Sequence, residues 1–244
     1  MKFGLRHAAI FSVLAFTCTA QAGIILNGTR VIYPAKAKEI SVRMTNDDAK
    51  TPRLIKAWVD GGVEGQAIEK IDVPFTLTPP VTRVEPKQGQ TLRIVYDGTP
   101  LPASQESLFW LNVLEVPPDT SRADQNTLQF AFRTRVKLFF RPDGIPGKVN
   151  DAPSKLTWRI ATADGHRYIV AHNPTAYHVS FQSVALRSGG KDLESADTGM
   201  ASPGGDARFV LPDGAPAVHA DTQVAFKTID DFGAFVPATA PLSP

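Results

Sequence analysis

Leu128-Gln129-Phe130-Ala131-Phe132-Arg133-Thr134-Arg135-Val136-Lys137-Leu138-Phe139-Phe140 is the stretch whose pattern decides the fold. Leu128, Phe130 and Phe132 stand at every second position, with Gln129, Ala131 and Arg133 between them. Side chains of a strand alternate in direction, so the three apolar groups share one face. Arg141-Pro142-Asp143-Gly144 ends the run with turn-forming residues. Taken alone, the pattern is that of an ordinary core strand.

The same period recurs on both sides. Ile40, Val42 and Met44 alternate with Ser41, Arg43 and Thr45, as a half-buried strand requires. Leu54 to Val59, the Leu92–Ile94–Tyr96 alternation and Leu108 to Val116 are further strands. Gly61-Gly62, Thr78-Pro79-Pro80, Asp97-Gly98 and Pro100 punctuate them. Beyond a Pro, Gly and Asp cluster at 142–150 the pattern resumes in Leu156 to Ala161, Tyr168 to Ala171, Tyr177 to Leu186, Ala207 to Leu211 and Gln223 to Ile229. Helical periodicity is scarce. The expectation is an all-β chain of two sandwiches in tandem, 23–142 and 143–244, whose short linker makes a cleft. Val236 to Pro244, rich in Pro and Ala, reads as a frayed end.

Residues 1–22 read as a signal peptide. Lys2 and Arg6 open it, Ala8 to Phe16 is too short to span a bilayer, and Ala20-Gln21-Ala22 is a small-x-small cleavage site. Cys18, the one cysteine, leaves with it, so the mature chain has no disulfide, thiolate metal site or cysteine nucleophile. Lys2 and Arg6 also leave, and 24 basic side chains then face 24 acidic ones. That balance gives no support for a nucleic-acid binder. No later apolar run is long enough for a membrane helix, so the expected place is outside the cytoplasm without membrane insertion.

The usual catalytic constellations are missing. His166, His172, His178 and His219 show no metal-ligand spacing and read as strand-surface histidines. No nucleophile elbow or phosphate-cradling glycine loop occurs. Asp47-Asp48 and Asp230-Asp231 read as solvated loop acids, and Trp58 and Trp110 as core residues. The expectation is a protein without catalytic residues, metal or cofactor.

A set of strings spread over nearly the whole mature chain carries a resemblance. It begins with Thr29-Arg30-Val31-Ile32-Tyr33-Pro34, Val42 to Asn46, Ala57-Trp58-Val59 and Thr78-Pro79-Pro80-Val81-Thr82-Arg83-Val84-Glu85-Pro86. Glu106-Ser107-Leu108-Phe109-Trp110-Leu111-Asn112 and Glu115-Val116-Pro117-Pro118 follow, then Lys137-Leu138-Phe139-Phe140-Arg141-Pro142, the most specific. Asn173-Pro174-Thr175-Ala176-Tyr177 and Asp230-Asp231-Phe232-Gly233 complete it. In this order and spacing the chain resembles the periplasmic pilus (fimbrial) chaperones. The short segment Asp119 to Thr127 resembles their short-loop subfamily.

The resemblance implies two immunoglobulin-like domains set at an angle with the binding cleft between them, a periplasmic location, and two partners: fimbrial subunits and an outer-membrane usher. It makes Leu128, Phe130 and Phe132 a donor strand, lent to a subunit that lacks one of its own. It makes Arg30 and Lys137 the anchors of the subunit's C-terminal carboxylate; the bland alternative pairs each with an internal glutamate or with water. Arg135 matches a commonly basic position nearby. Glu106, Arg141 and Asp231 match a charged set that holds the angle between domains. Thr78-Pro79-Pro80 is a suitable place for a cis peptide, and an exposed donor strand leaves room for a self-capping dimer. The alternative from another class is a structural or adhesive extracellular protein built on the same sandwiches.

Overall fold

The computed structural model describes residues 23–63, 65–116, 130–215, 218–219 and 221–243. The leader, the 119–127 segment and Leu128 lie outside the described residues. The first sandwich is built from β1 (Ile24–Leu26), β2 (Arg30–Pro34), β3 (Ile40–Asn46), β4 (Arg53–Asp60), β5 (Phe75–Thr78), β6 (Val81–Val84), β7 (Gly89–Tyr96), β8 (Ser107–Val116) and β9 (Phe132–Arg141). They form two sheets, ordered β1-β3-β7-β5 and β2-β9-β8-β4-β6. The chain crosses from one sheet to the other between β1 and β2. Each inner face supplies its apolar alternates: Met44, Leu92 and Ile94 from one sheet, Ile55, Leu111 and Leu138 from the other, all fully buried. An aromatic cluster closes one end of this core, with Tyr33 stacked 5.8 Å from Phe140 and Phe75 edge-on to Phe109 at 4.8 Å. The Thr78–Pro79 peptide bond is cis.

The second sandwich holds β10 (Thr157–Ala163), β11 (His166–His172), β12 (Val179–Ser188), β13 (Lys191–Glu194), β14 (Gly199–Ala201), β15 (Asp206–Val210), β16 (Gln223–Ile229) and β17 (Phe235–Pro241). Its sheets run β10-β11-β15 and β13-β12-β16-β17, with β14 added to β12. Trp158 is the pivot of the core, 4.7 Å from Phe226 and edge-on to Phe181 at 5.7 Å. The end expected to fray is a full strand instead. β17 pairs with β16 from Phe235 opposite Ile229 to Pro241 opposite Gln223. Edge strands tolerate proline because one row of N–H groups needs no partner, which is why the Pro-rich composition misleads there.

Two features of β9 position the site. Its second half is a central strand, parallel to β2 from Arg30 opposite Lys137 to Pro34 opposite Arg141. Among the described residues its first half, Phe132 to Val136, pairs with β8 alone. No described strand covers the other edge of that half. Val136, Leu138 and Phe140 are buried on the core side, and Phe132 stands on the same side but is 63% exposed. Phe130, 61% exposed, lies with its ring 6.4 Å from that of Phe132.

Candidate functional site: the interdomain cleft

Strand register sets the centre of the cleft. Parallel pairing of β2 with β9 places Arg30 beside Lys137; antiparallel pairing of β12 with β16 places Ser180 beside Ile229. The two pairs face each other across the domain boundary. The Arg30 guanidinium donates to the Ile229 carbonyl at 2.7 Å, and Lys137 Nζ donates to Ser180 Oγ at 3.1 Å. Among the described residues neither cation has a carboxylate within ion-pair distance, and Arg30 Nε is buried without an acceptor. Burial, then the neighbouring Arg30 charge, lower Lys137 from an ordinary value of 10.5 to about 8. Burial also lowers Arg30, and the more distant charges of Asp231, Asp230 and Glu106 only partly offset it. Two adjacent half-buried cations without a carboxylate partner among the described residues are an arrangement that can hold an anion.

The nearby acids are engaged elsewhere. Glu106 is 3% exposed, and its Oε1 accepts from Arg141 Nε at 2.7 Å. The same guanidinium reaches across to Asp231 with two bonds of 2.7 and 3.0 Å. Glu106, Arg141 and Asp231 are thus one chain of contacts spanning the domains. Burial opposes ionisation of Glu106, but hydrogen bonds from the His178 side chain and backbone N–H, with the Arg141 charge, hold its carboxyl below the usual range. Asp231 sits on a turn closed by Asp230, whose Oδ1 accepts the Phe232 and Ala234 N–H groups. Gly233 has φ of 85° there, and a Cβ on it would stand 2.7 Å from Thr29 Oγ1 of the first domain. Only glycine lets this turn close so near the other domain.

His178 corrects the reading of the histidines as strand-surface groups. Its side chain is 6% exposed, its ring lies 5.3 Å from Phe139, and its backbone N–H donates to Glu106 at 2.8 Å. Beside it the Glu106 N–H donates to the Ala176 carbonyl. Asp48 is likewise a buried acid, bonded by the Lys50 and Thr51 N–H groups and by Arg53. The His178 role has no signature in a single sequence, because Glu106 lies far along the chain; Asp48 is bonded within its own turn, where an acid reads as solvated.

The outer face of β9 packs on two tryptophans, of β4 and β8. Trp58 and Trp110 are half-buried rather than core, and carry Arg133 and Arg135 stacked at 5.0 and 4.3 Å from their ring centres. Arg135, matched by resemblance to a basic position near the anchors, is bonded to Asp60 at 2.8 Å. The signal was present: Arg133, Arg135 and Lys137 stand at every second position, a cationic face opposite the apolar one.

Fold and cleft together define a member of the pilus-assembly chaperones. Residues 23–146 match the family described as pili and flagellar-assembly chaperone, PapD N-terminal domain, and residues 151–240 match the pili assembly chaperone PapD, C-terminal domain. The chain belongs to this family. It is 39% identical to the probable fimbrial chaperone YadV of Escherichia coli K12, over 99% of this chain and 100% of that one. It is 38% identical to the chaperone protein FimB/FhaD of Bordetella pertussis, over 99% of this chain and 97% of the other. Among solved structures, the Pseudomonas aeruginosa CupB2 chaperone is 39% identical and superposes with a TM-score of 0.76, covering 90% of this chain and all of that one. The SafB chaperone of Salmonella enterica, solved in complex with the SafA pilin, is similar at 27% identity and a TM-score of 0.74, covering 90% and 96%.

Proposed function

We propose that this chain is a periplasmic, non-catalytic chaperone that holds fimbrial subunits by lending them the open half of β9, and passes them to an outer-membrane usher. Residues 23–142 make the capturing unit and 143–244 the second wall of the cleft. The observation that carries this function is the pairing of two features on one strand. Phe130 and Phe132 stand exposed along an open edge, and the same strand leads directly to the unneutralised pair Arg30 and Lys137. A subunit missing a strand would bond its backbone to that edge and bury the two rings. Its terminal carboxylate would supply the missing anion and fix the register. Glu106, Arg141 and Asp231 keep both walls of the anion site in place. The same edge would accept a second copy of the chain, giving a self-capping dimer when no subunit is present.

The test is capture itself. The tagged protein is purified from the periplasm of its host, and what accompanies it is identified by mass spectrometry. A small β-rich subunit at a one-to-one ratio is expected. Burying each ring contributes roughly 1.5–3 kcal/mol, so Phe130→Ser with Phe132→Ser should weaken capture about a hundredfold or more. Both side chains are exposed in the free protein, so its melting temperature should hardly change. Undiminished capture by the double variant would remove β9 as the donor.

A further inference from the structure

The face of β9 turned away from the donor side chains is tied down by a second network, centred on Asp60 at the end of β4. Asp60 is 2% exposed. Its Oδ1 accepts from Arg135 at 2.8 Å and from the Gly62 N–H at 2.8 Å. Its Oδ2 accepts from Asn112 Nδ2 at 2.7 Å and from Arg133 at 3.3 Å. Asn112 is fully buried, and its Oδ1 accepts two further bonds from Arg133, at 3.0 and 2.7 Å. The two guanidinium groups lie over Trp58 and Trp110. Burial works against ionisation of Asp60, yet the bonds from Arg135, Gly62 and Asn112 and the Arg135 charge keep its carboxyl below the usual range.

This network acts on the half of β9 that has one neighbouring strand among the described residues. Lys137 to Arg141 are held between β2 and β8, whereas Phe132 to Val136 have β8 alone. An edge segment with a free row of N–H and C=O groups is the part of a sheet most prone to fray. Arg133 and Arg135 are bound at every second position along it. Their retention on Asp60 and Asn112 fixes which side chains point outward, and so presents Phe130 and Phe132 on the other side. Ordering a strand only when a subunit arrives would cost association free energy; a strand ordered beforehand avoids that cost.

We propose that Asp60, acting through Arg133 and Arg135, is a positioning residue that holds the lending half of β9 extended and in register before a subunit binds. This rests on the donor-strand function proposed above. Asp60 touches no subunit; its effect is on the speed of capture.

The test uses the whole mature protein with two variants, Asp60→Asn and Arg133→Gln, and the subunit that copurifies with the wild type as the probe. Amide hydrogen exchange is followed in the free protein, and association and dissociation rates are measured separately. In Asp60→Asn, which loses bonds to charged groups, the β8-bonded amides of 132–136 should exchange about tenfold faster or more. The amides of 137–141 and of the second domain should keep their protection. The association rate constant should fall by a similar factor, with less change in dissociation. Arg133→Gln removes one half-exposed stack and the guanidinium's bonds to Asn112 and Asp60, and should move both readouts the same way by at least about threefold. Unchanged exchange at 132–136 in both variants would overturn the proposal. So would loosening of all β9 and the second domain alike, the mark of a merely structural role, or local loosening with an unaltered association rate. A wild type that held no subunit would remove the donor-strand function and this proposal with it, and that failure is seen in the wild-type arm alone.

Discussion

Lys137→Met will weaken subunit capture about a hundredfold and, in the same molecule, raise the melting temperature of the free protein. The two effects have one cause. In the free chaperone Lys137 is a half-buried ammonium beside Arg30, with a serine hydroxyl as its hydrogen-bond partner and no carboxylate among the described residues. Burial and the Arg30 charge bring its pKa to about 8. The unfolded chain keeps this proton up to about 10.5, so between these values it binds more protons than the folded chain, and stability rises with pH across that window. Below pH 8 both states are charged and the fold carries the whole penalty. A methionine of similar length removes it, a gain of about 1 kcal/mol once solvent screening of a half-buried group is allowed for. At neutral pH that corresponds to a few degrees in the first domain's transition, and the gap should close as the pH is raised from 8 toward 10.5. Capture loses one of two carboxylate anchors, a loss of roughly 3 kcal/mol or about a hundredfold. In the wild type a bound carboxylate restores the lysine's proton affinity, so binding takes up a proton above pH 8. Affinity should therefore be flat below pH 8 and fall by up to about tenfold per unit above it. Thermal unfolding and titration of the subunit at pH 7, 8 and 9 check both. A variant less stable than the wild type at pH 7, with unimpaired capture, would mean that Lys137 is an ordinary structural residue.

What was legible in the sequence follows from burial. Strands were readable wherever one face is buried and the other solvated. Ile40 to Met44, Leu54 to Val59 and Gln223 to Ile229 fall within β3, β4 and β16 for that reason. β17 was not readable, because an edge strand with Pro237 and Pro241 lacks the composition of a central one. Nor were β1 and β14, at three residues each too short to show any period. In the cleft, Arg30 and Lys137 were found through family strings rather than through periodicity. Their counterparts Ser180 and the Ile229 carbonyl carry no chemical signature, since a hydroxyl and a backbone oxygen occur everywhere. Asp60 illustrates the same limit. An acid before Gly61-Gly62 reads as the start of a turn, and it is one, with Gly62 donating to its carboxylate. Only the β4–β8–β9 register shows that the same carboxylate also holds two arginines of a distant strand.

Arg141→Ala should uncouple the domains and weaken capture without removing any group that a subunit touches. Arg141 lies at the end of β9, opposite Pro34 of β2, and its guanidinium fills the space between Glu106 of the first domain and Asp231 of the second. Removing it leaves Glu106 buried with only His178 as a side-chain partner. Breaking a buried pair from one side costs about 3–5 kcal/mol, because the remaining charge is stranded. The polar links left across the boundary include the Ala176 and His178 bonds to Glu106, Arg30 to the Ile229 carbonyl, and Lys137 to Ser180. These are too few to fix an angle against domain motion of the kind expected for a small interface. The anion site then suffers indirectly. Arg30 and Lys137 stay in register on their own sheet, while Ser180 and Ile229, which complete the cleft from the other domain, lose theirs. Calorimetry should show the unfolding transition splitting into two, and small-angle scattering should show a broader distribution of interdomain distances. Capture should fall at least tenfold. Arg141→Lys should not restore it, since one ammonium cannot replace a planar fork that bonds one carboxylate twice and another once. If Arg141→Ala unfolded in a single transition at the wild-type temperature, the angle would have to be held by the apolar contacts of the interface alone, Phe139 against His178 foremost among them.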